Sequence, residues 1–76
     1  MDKPNQELLD SWIENSTKLC FTFNDGKKKY GHINSCFGMG LHVKIDDPKG
    51  NQWKTRKVLL FNAMDSIVEV REDMTV

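Results

Sequence analysis

No apolar run in this sequence approaches the roughly 20 residues that a membrane-spanning helix needs. The opening Met1-Asp2-Lys3-Pro4-Asn5-Gln6-Glu7 is polar and charged, unlike a secretory signal. Cysteine is scarce: Cys20 and Cys36 can form one bridge at most, far from the framework that staples small secreted domains. A cytoplasmic location with both thiols reduced and packed in strands is the expectation. Histidine is equally scarce. His32 and His42 stand alone, without the paired Cys/His spacing of a zinc site, so no metal is expected.

The same economy extends to chemistry. No nucleophile motif accompanies the histidines or cysteines, and no glycine-rich loop is shaped to cradle a phosphate. The one adjacent carboxylate pair, Asp46-Asp47, adjoins Pro48 in a turn, where aspartate is common for local hydrogen-bonding reasons. A barrel of this size also lacks a deep pocket of its own. The expectation is therefore a protein that binds rather than catalyses, with no cofactor, no small-molecule substrate and no membrane partner.

What is present must work within 76 residues. Such a chain buries only about 60–65% of its extended-chain surface and is marginal unless helped by a disulfide, a metal or association. With the first two set aside, self-association is the expected help. Net charge is zero, but the charges are segregated. Residues 27–57 carry Lys27, Lys28, Lys29, Lys44, Lys49, Lys54, Arg56 and Lys57 against only Asp46 and Asp47, while both ends are acidic. A basic middle of this kind gives a dipolar molecule with one face suited to phosphates.

Local patterning predicts one domain over 1–76. A helix spans about 5–15, with Leu8, Leu9, Trp12 and Ile13 as its apolar stripe, ended by Asn15-Ser16-Thr17. The period then changes to two. Leu19, Phe21 and Phe23 mark a first strand, and Asn24-Asp25-Gly26 supplies a tight hairpin turn. The return strand runs from Lys27 to about Cys36, with Gly31 inside it as a bend or close approach. After the connection Phe37-Gly38-Met39-Gly40, a third strand carries Leu41, Val43 and Ile45. Asp47–Asn51 is a turn, a fourth strand runs from about Gln52 to Phe61, and Ser66–Val70 is a short fifth strand before a polar tail over 71–76. A helix followed by five short antiparallel strands predicts a mostly β protein, a strongly bent SH3-like small barrel over about 18–70.

The run Val58-Leu59-Leu60-Phe61 predicts cover on both faces of the fourth strand, and the apolar fifth strand is a sticky edge if unpaired. Head-to-tail pairing between subunits answers both needs. Val58, Leu59, Leu60, Ile67, Val68 and Val70 are accordingly the candidate subunit interface. A strand covered by the protein's own helix is the other reading.

The stretch from Leu19 to Val43 resembles the first motif of the Sm-like (Sm, LSm and Hfq) family. Three alternating apolar residues precede Asn24-Asp25-Gly26, Gly31 follows five residues after Gly26, and Ile33 lies two beyond it. The later LLFNAMDSIVEV is similar to the second motif, and the likeness runs from about Glu7 to Val70. It implies the Sm-like fold, a homo-oligomeric ring, binding of single-stranded RNA or DNA, and a role in RNA or DNA processing. Three positions depart from the pattern. Lys29 replaces the inward apolar residue three after the turn glycine. Phe37-Gly38-Met39-Gly40 replaces the Asp and Asn of the nucleotide loop, and Phe61-Asn62 replaces the Arg-Gly or Lys-His of the second motif.

The candidate nucleic-acid contacts are thus Phe37, Gly38, Met39, Phe61 and Asn62 near the loops, with Lys27, Lys28, Lys29, Lys54, Arg56 and Lys57 for phosphates. Phe37, beside a glycine, is the favoured stacking surface; Tyr30 and Trp53 are others, and for Phe61 and Trp53 packing within the core or interface is the competing role. A second function from another class also fits: a protein-interaction or assembly module that uses an SH3-like barrel and its edge strand, without nucleic acid.

Overall fold

The computed structural model describes residues 1–46 and 55–70. The expected turn at Asp47–Asn51, Lys49, Trp53, Lys54, the start of the fourth strand and the tail 71–76 lie outside the described residues.

Helix α1 spans Gln6–Glu14. It starts where Asn5 can cap it: the Asn5 side-chain oxygen accepts from the Glu7 N–H at 2.8 Å. It ends at Glu14 with Asn15 as its C-cap, and the positive φ of 48° at the following Ser16 turns the chain away from helix geometry. Leu9 and Trp12 are buried and Ile13 packs against the core, so the stripe docks as expected. Leu8 is the exception. It sits on the margin of the stripe and remains 42% exposed. The Trp12 indole N–H donates to Glu69 Oε1 at 2.8 Å, which fixes the helix to the last strand.

Five strands follow: β1 (Leu19–Phe23), β2 (Lys28–Phe37), β3 (Gly40–Ile45), β4 (Thr55–Leu60) and β5 (Met64–Glu69). They form one antiparallel sheet in the order β4-β3-β2-β1-β5. The long β2 bends the sheet. Its first residues, Lys28–Gly31, pair with β1, and Gly31–Phe37 pair with β3, with a register shift between Ile33 and Ser35. Gly31 belongs to both halves. A Cβ there would be driven into the carbonyl oxygen of Lys44, and one at Gly40 into that of Leu59. The backbones approach this closely only because both residues lack a side chain.

Bending wraps one face of the sheet around Leu19, Phe21, Ile33, Leu41, Val43 and Met64, with Leu9 from the helix closing the core. Cys20 and Cys36 are free thiols; Cys20 is buried between its cross-strand partners Tyr30 and Val68, and Cys36 is half-buried. Within a single protomer the run from Val58 to Phe61 is not covered on both faces. Val58 is 54% exposed, Leu59 buried and Leu60 half-buried, because the run alternates while it is strand. At Phe61 it leaves the strand for a short 3-10 turn, Phe61–Ala63, which carries the Phe61 ring into the core. That turn is tighter than the expected break at Asn62–Asp65, so β5 begins earlier, at the buried Met64.

Candidate nucleic-acid interface

The β2–β3 connection is a two-residue turn, Gly38-Met39, since Phe37 and Gly40 already pair across the hairpin. Phe37 is half-buried and tilts against His42, with ring centroids 5.1 Å apart and planes at 48°. Met39 is 67% exposed. Its carbonyl oxygen accepts from the Phe61 N–H at 3.0 Å, so this turn abuts the 3-10 turn. The two loop stretches named from sequence, Phe37–Met39 and Phe61–Asn62, therefore lie side by side. Phe61 itself is 6% exposed and belongs to the core, so its ring offers no open face for stacking. Leu59 is likewise core rather than a free surface for a neighbouring subunit.

The β1–β2 turn is tied to the same 3-10 turn. The Asn24 side-chain N–H donates to the Asn62 carbonyl at 2.7 Å, and its backbone N–H to Ala63 at 3.2 Å. Asn24 was legible only as a turn residue; its role in joining two distant turns follows from the folded sheet.

The basic residues do not form one belt on a single face. In an antiparallel pair, directly opposed residues point to the same side. Lys29 opposes Phe21 and Lys57 opposes Val43, both fully buried, so these two lysines sit on the concave, core-facing side. With Lys27 they line a cleft of about 380 Å³, bordered by Asn24 and Asp25 and backed by Phe23, Leu59 and Ala63. Lys57, within hydrogen-bonding reach, holds Lys29 below the ordinary lysine pKa; partial burial and the charges of Lys57 and Lys27 act in the same direction, and Asp25 opposes them. Lys28 opposes Thr22 and is exposed. Arg56 borders a separate groove of about 450 Å³ on the convex side, with Asn34, Ser35, His42 and Val58; Lys57 and Val43 reach it as well. His42, which read as an isolated residue, stands between Phe37 and that groove. Strand alternation with Leu41 and Val43 already turned it outward.

Tyr30 is 44% exposed, and the Cys20 thiol opposite raises its pKa through unfavourable charge interaction and a hydrogen bond. Among the described residues, no group of three or more His, Cys, Asp or Glu is placed to hold a metal, and no helix is long and apolar enough to cross a membrane.

A helix on a strongly bent, five-stranded antiparallel sheet, with the strand order seen here, is the Sm-like fold. The chain resembles a solved crystal structure of Hfq, described as a pleiotropic translational regulator, with a TM-score of 0.67 over 92% of this chain and 100% of that one. Sequence identity is 14%, so the likeness is one of fold. No family model matches the sequence. No curated protein matches it either.

Proposed function

We propose that this chain is an Sm-like nucleic-acid-binding protein that assembles as a homo-oligomeric ring in the cytoplasm and holds single-stranded RNA or DNA non-covalently. The observation that supports it most is the fold shared with Hfq together with the state of the two outer strands. β4 and β5 each have one strand neighbour, and each carries an exposed valine, Val58 and Val68. Pairing β4 of one copy with β5 of the next continues the sheet and covers both valines, with Leu60, Ile67 and Val70 beside them. The two edges differ, so the contact is head to tail, the kind that closes rings.

In this reading bases meet Phe37, Gly38, Met39 and Asn62, while Lys28 and Arg56, together with Lys27, Lys29, Lys57 and Lys54, neutralise phosphates. Native mass in solution and fluorescence anisotropy with short RNA and DNA oligonucleotides test the reading. A mass several times that of one chain and binding that weakens steeply with salt are expected. A monomer without oligonucleotide binding at low salt refutes it and favours the interaction-module reading, in which an open strand edge receives a protein segment.

A further inference from the structure

We propose that Lys27, Lys29 and Lys57 form a phosphate-binding pocket at the mouth of the barrel, which takes the phosphate group of a nucleotide with the rest of the molecule against Phe23 and Leu59.

Three observations converge on it. The first is position. Lys29 and Lys57 extend from the core-facing side of the sheet, opposite buried Phe21 and Val43, at the margin where that side opens to solvent. The second is an uncompensated charge. Asp25 is the one carboxylate among the described residues lining the cleft. It is already engaged in its own turn: Oδ1 accepts the Lys27 backbone N–H at 3.0 Å, and Oδ2 lies 3.9 Å from Lys27 Nζ. Its single charge therefore only partly offsets the facing pair Lys29 and Lys57. Two ammonium groups have no lone pair to offer one another, so they meet comfortably only if one loses its proton or an anion lies between them. The lowered pKa of Lys29 shows the pressure of Lys57 on it, which a bound anion would relieve.

The third observation is shape. The cleft is not a gap between loose loops, because Asn24 ties its β1–β2 rim to the 3-10 turn through both its side chain and its backbone. Its other wall is apolar, from Phe23, Leu59 and Ala63. A cationic end beside an apolar wall suits a phosphate attached to an organic group better than a bare anion. The pocket lies within one protomer and does not need a ring. That the phosphate belongs to a nucleotide, free or within a strand, rests on the nucleic-acid reading above.

The test is a titration of the full chain at low ionic strength, followed by amide NMR, with adenosine 5′-monophosphate, inorganic phosphate, adenosine and a short oligonucleotide as separate probes. Saturable shifts at Lys27–Lys29, Lys57 and Ala63 are expected with the monophosphate and, more weakly, with inorganic phosphate, but not with adenosine. Lys29→Leu and Lys57→Leu each weaken monophosphate binding about tenfold or more, and Lys18→Leu, at a lysine away from the cleft, leaves it unchanged. An unaltered amide spectrum outside the cleft confirms that the variants fold. Failure of both phosphate probes, equal binding of adenosine, or loss of binding on Lys18→Leu instead overturns the pocket. Phosphate binding without any oligonucleotide binding leaves the pocket standing and overturns the nucleic-acid reading; saturation by the monophosphate that the oligonucleotide also reaches identifies a strand as the source.

Discussion

Asn24 and Asn62 lock together two turns that are 38 residues apart in the chain, through a 2.7 Å bond from the Asn24 side-chain N–H to the Asn62 carbonyl oxygen. The bond is exposed to solvent, so its net worth is that of an ordinary neutral hydrogen bond. Asn24→Ala is expected to lower stability by about 0.5–1.5 kcal/mol, read as a shift in the urea midpoint. A variant with an unchanged midpoint would show that the turns hold their places without this link.

The Trp12 indole and the Glu69 carboxylate form the second long-range tie, at 2.8 Å. Trp12→Phe keeps most of the buried ring and removes the donor. Because the acceptor is charged but partly exposed, a loss of about 1–2 kcal/mol is expected. Glu69→Gln, which keeps an acceptor, is expected to cost less. Chemical denaturation of both variants measures the difference, and equal losses would place the effect in packing rather than in the bond.

Lys29 gives a pH signature. Its pKa is lowered in the fold from the ordinary 10.5, chiefly by Lys57. Below the folded pKa, both folded and unfolded chains hold the proton, and the fold carries the full cost of the crowded charge. As pH rises from the folded pKa toward 10.5 the unfolded chain binds more protons than the folded one, so this cost fades. Lys29→Leu is therefore expected to be more stable than the parent near neutral pH, with a gap that narrows as the solution becomes alkaline. A gap that widens with pH would contradict the assignment.

Assembly is tested by placing charge on the two edges. Val58 and Val68 are 54% and 55% exposed, so Val58→Glu and Val68→Glu should leave the protomer folded. In the proposed ring each edge is used once per contact, so either substitution alone is expected to convert the assembly to monomers. Native mass spectrometry at micromolar concentration reads this directly. An intact assembly in both variants would move the interface elsewhere.

Much of the fold was legible in the residues. The Leu19/Phe21/Phe23 alternation, the Asn-Asp-Gly turn and the interior Gly31 each act over a few residues, and β1, β2 and β3 stand within a residue or so of where these signals put them. The helix end at Asn15–Thr17 was legible for the same reason. The end of the apolar run Val58–Phe61 was not legible, because composition alone does not reveal where a strand stops. Its last ring enters the core only after the chain has turned. The candidate interface was legible in part. The loop stretches Phe37–Met39 and Phe61–Asn62 do come together, but the split of the lysines between two faces depends on register, which joins positions as distant as Lys29 and Lys57. No local pattern encodes that.

The two glycines at 31 and 40 place a different limit on this protein. Every other amino acid carries a Cβ, and at these sites that one atom meets main-chain carbonyl oxygens of Lys44 and Leu59, which no side-chain rearrangement can move aside. A saturation library should thus find both codons closed to all nineteen alternatives. Gly38, with nothing near its absent Cβ, should accept many. The mutational map of the β2–β3 hairpin would then read as closed at the bend, open at the tip and closed again just beyond it, so sequence drift can reshape the tip while the curvature of the sheet stays fixed.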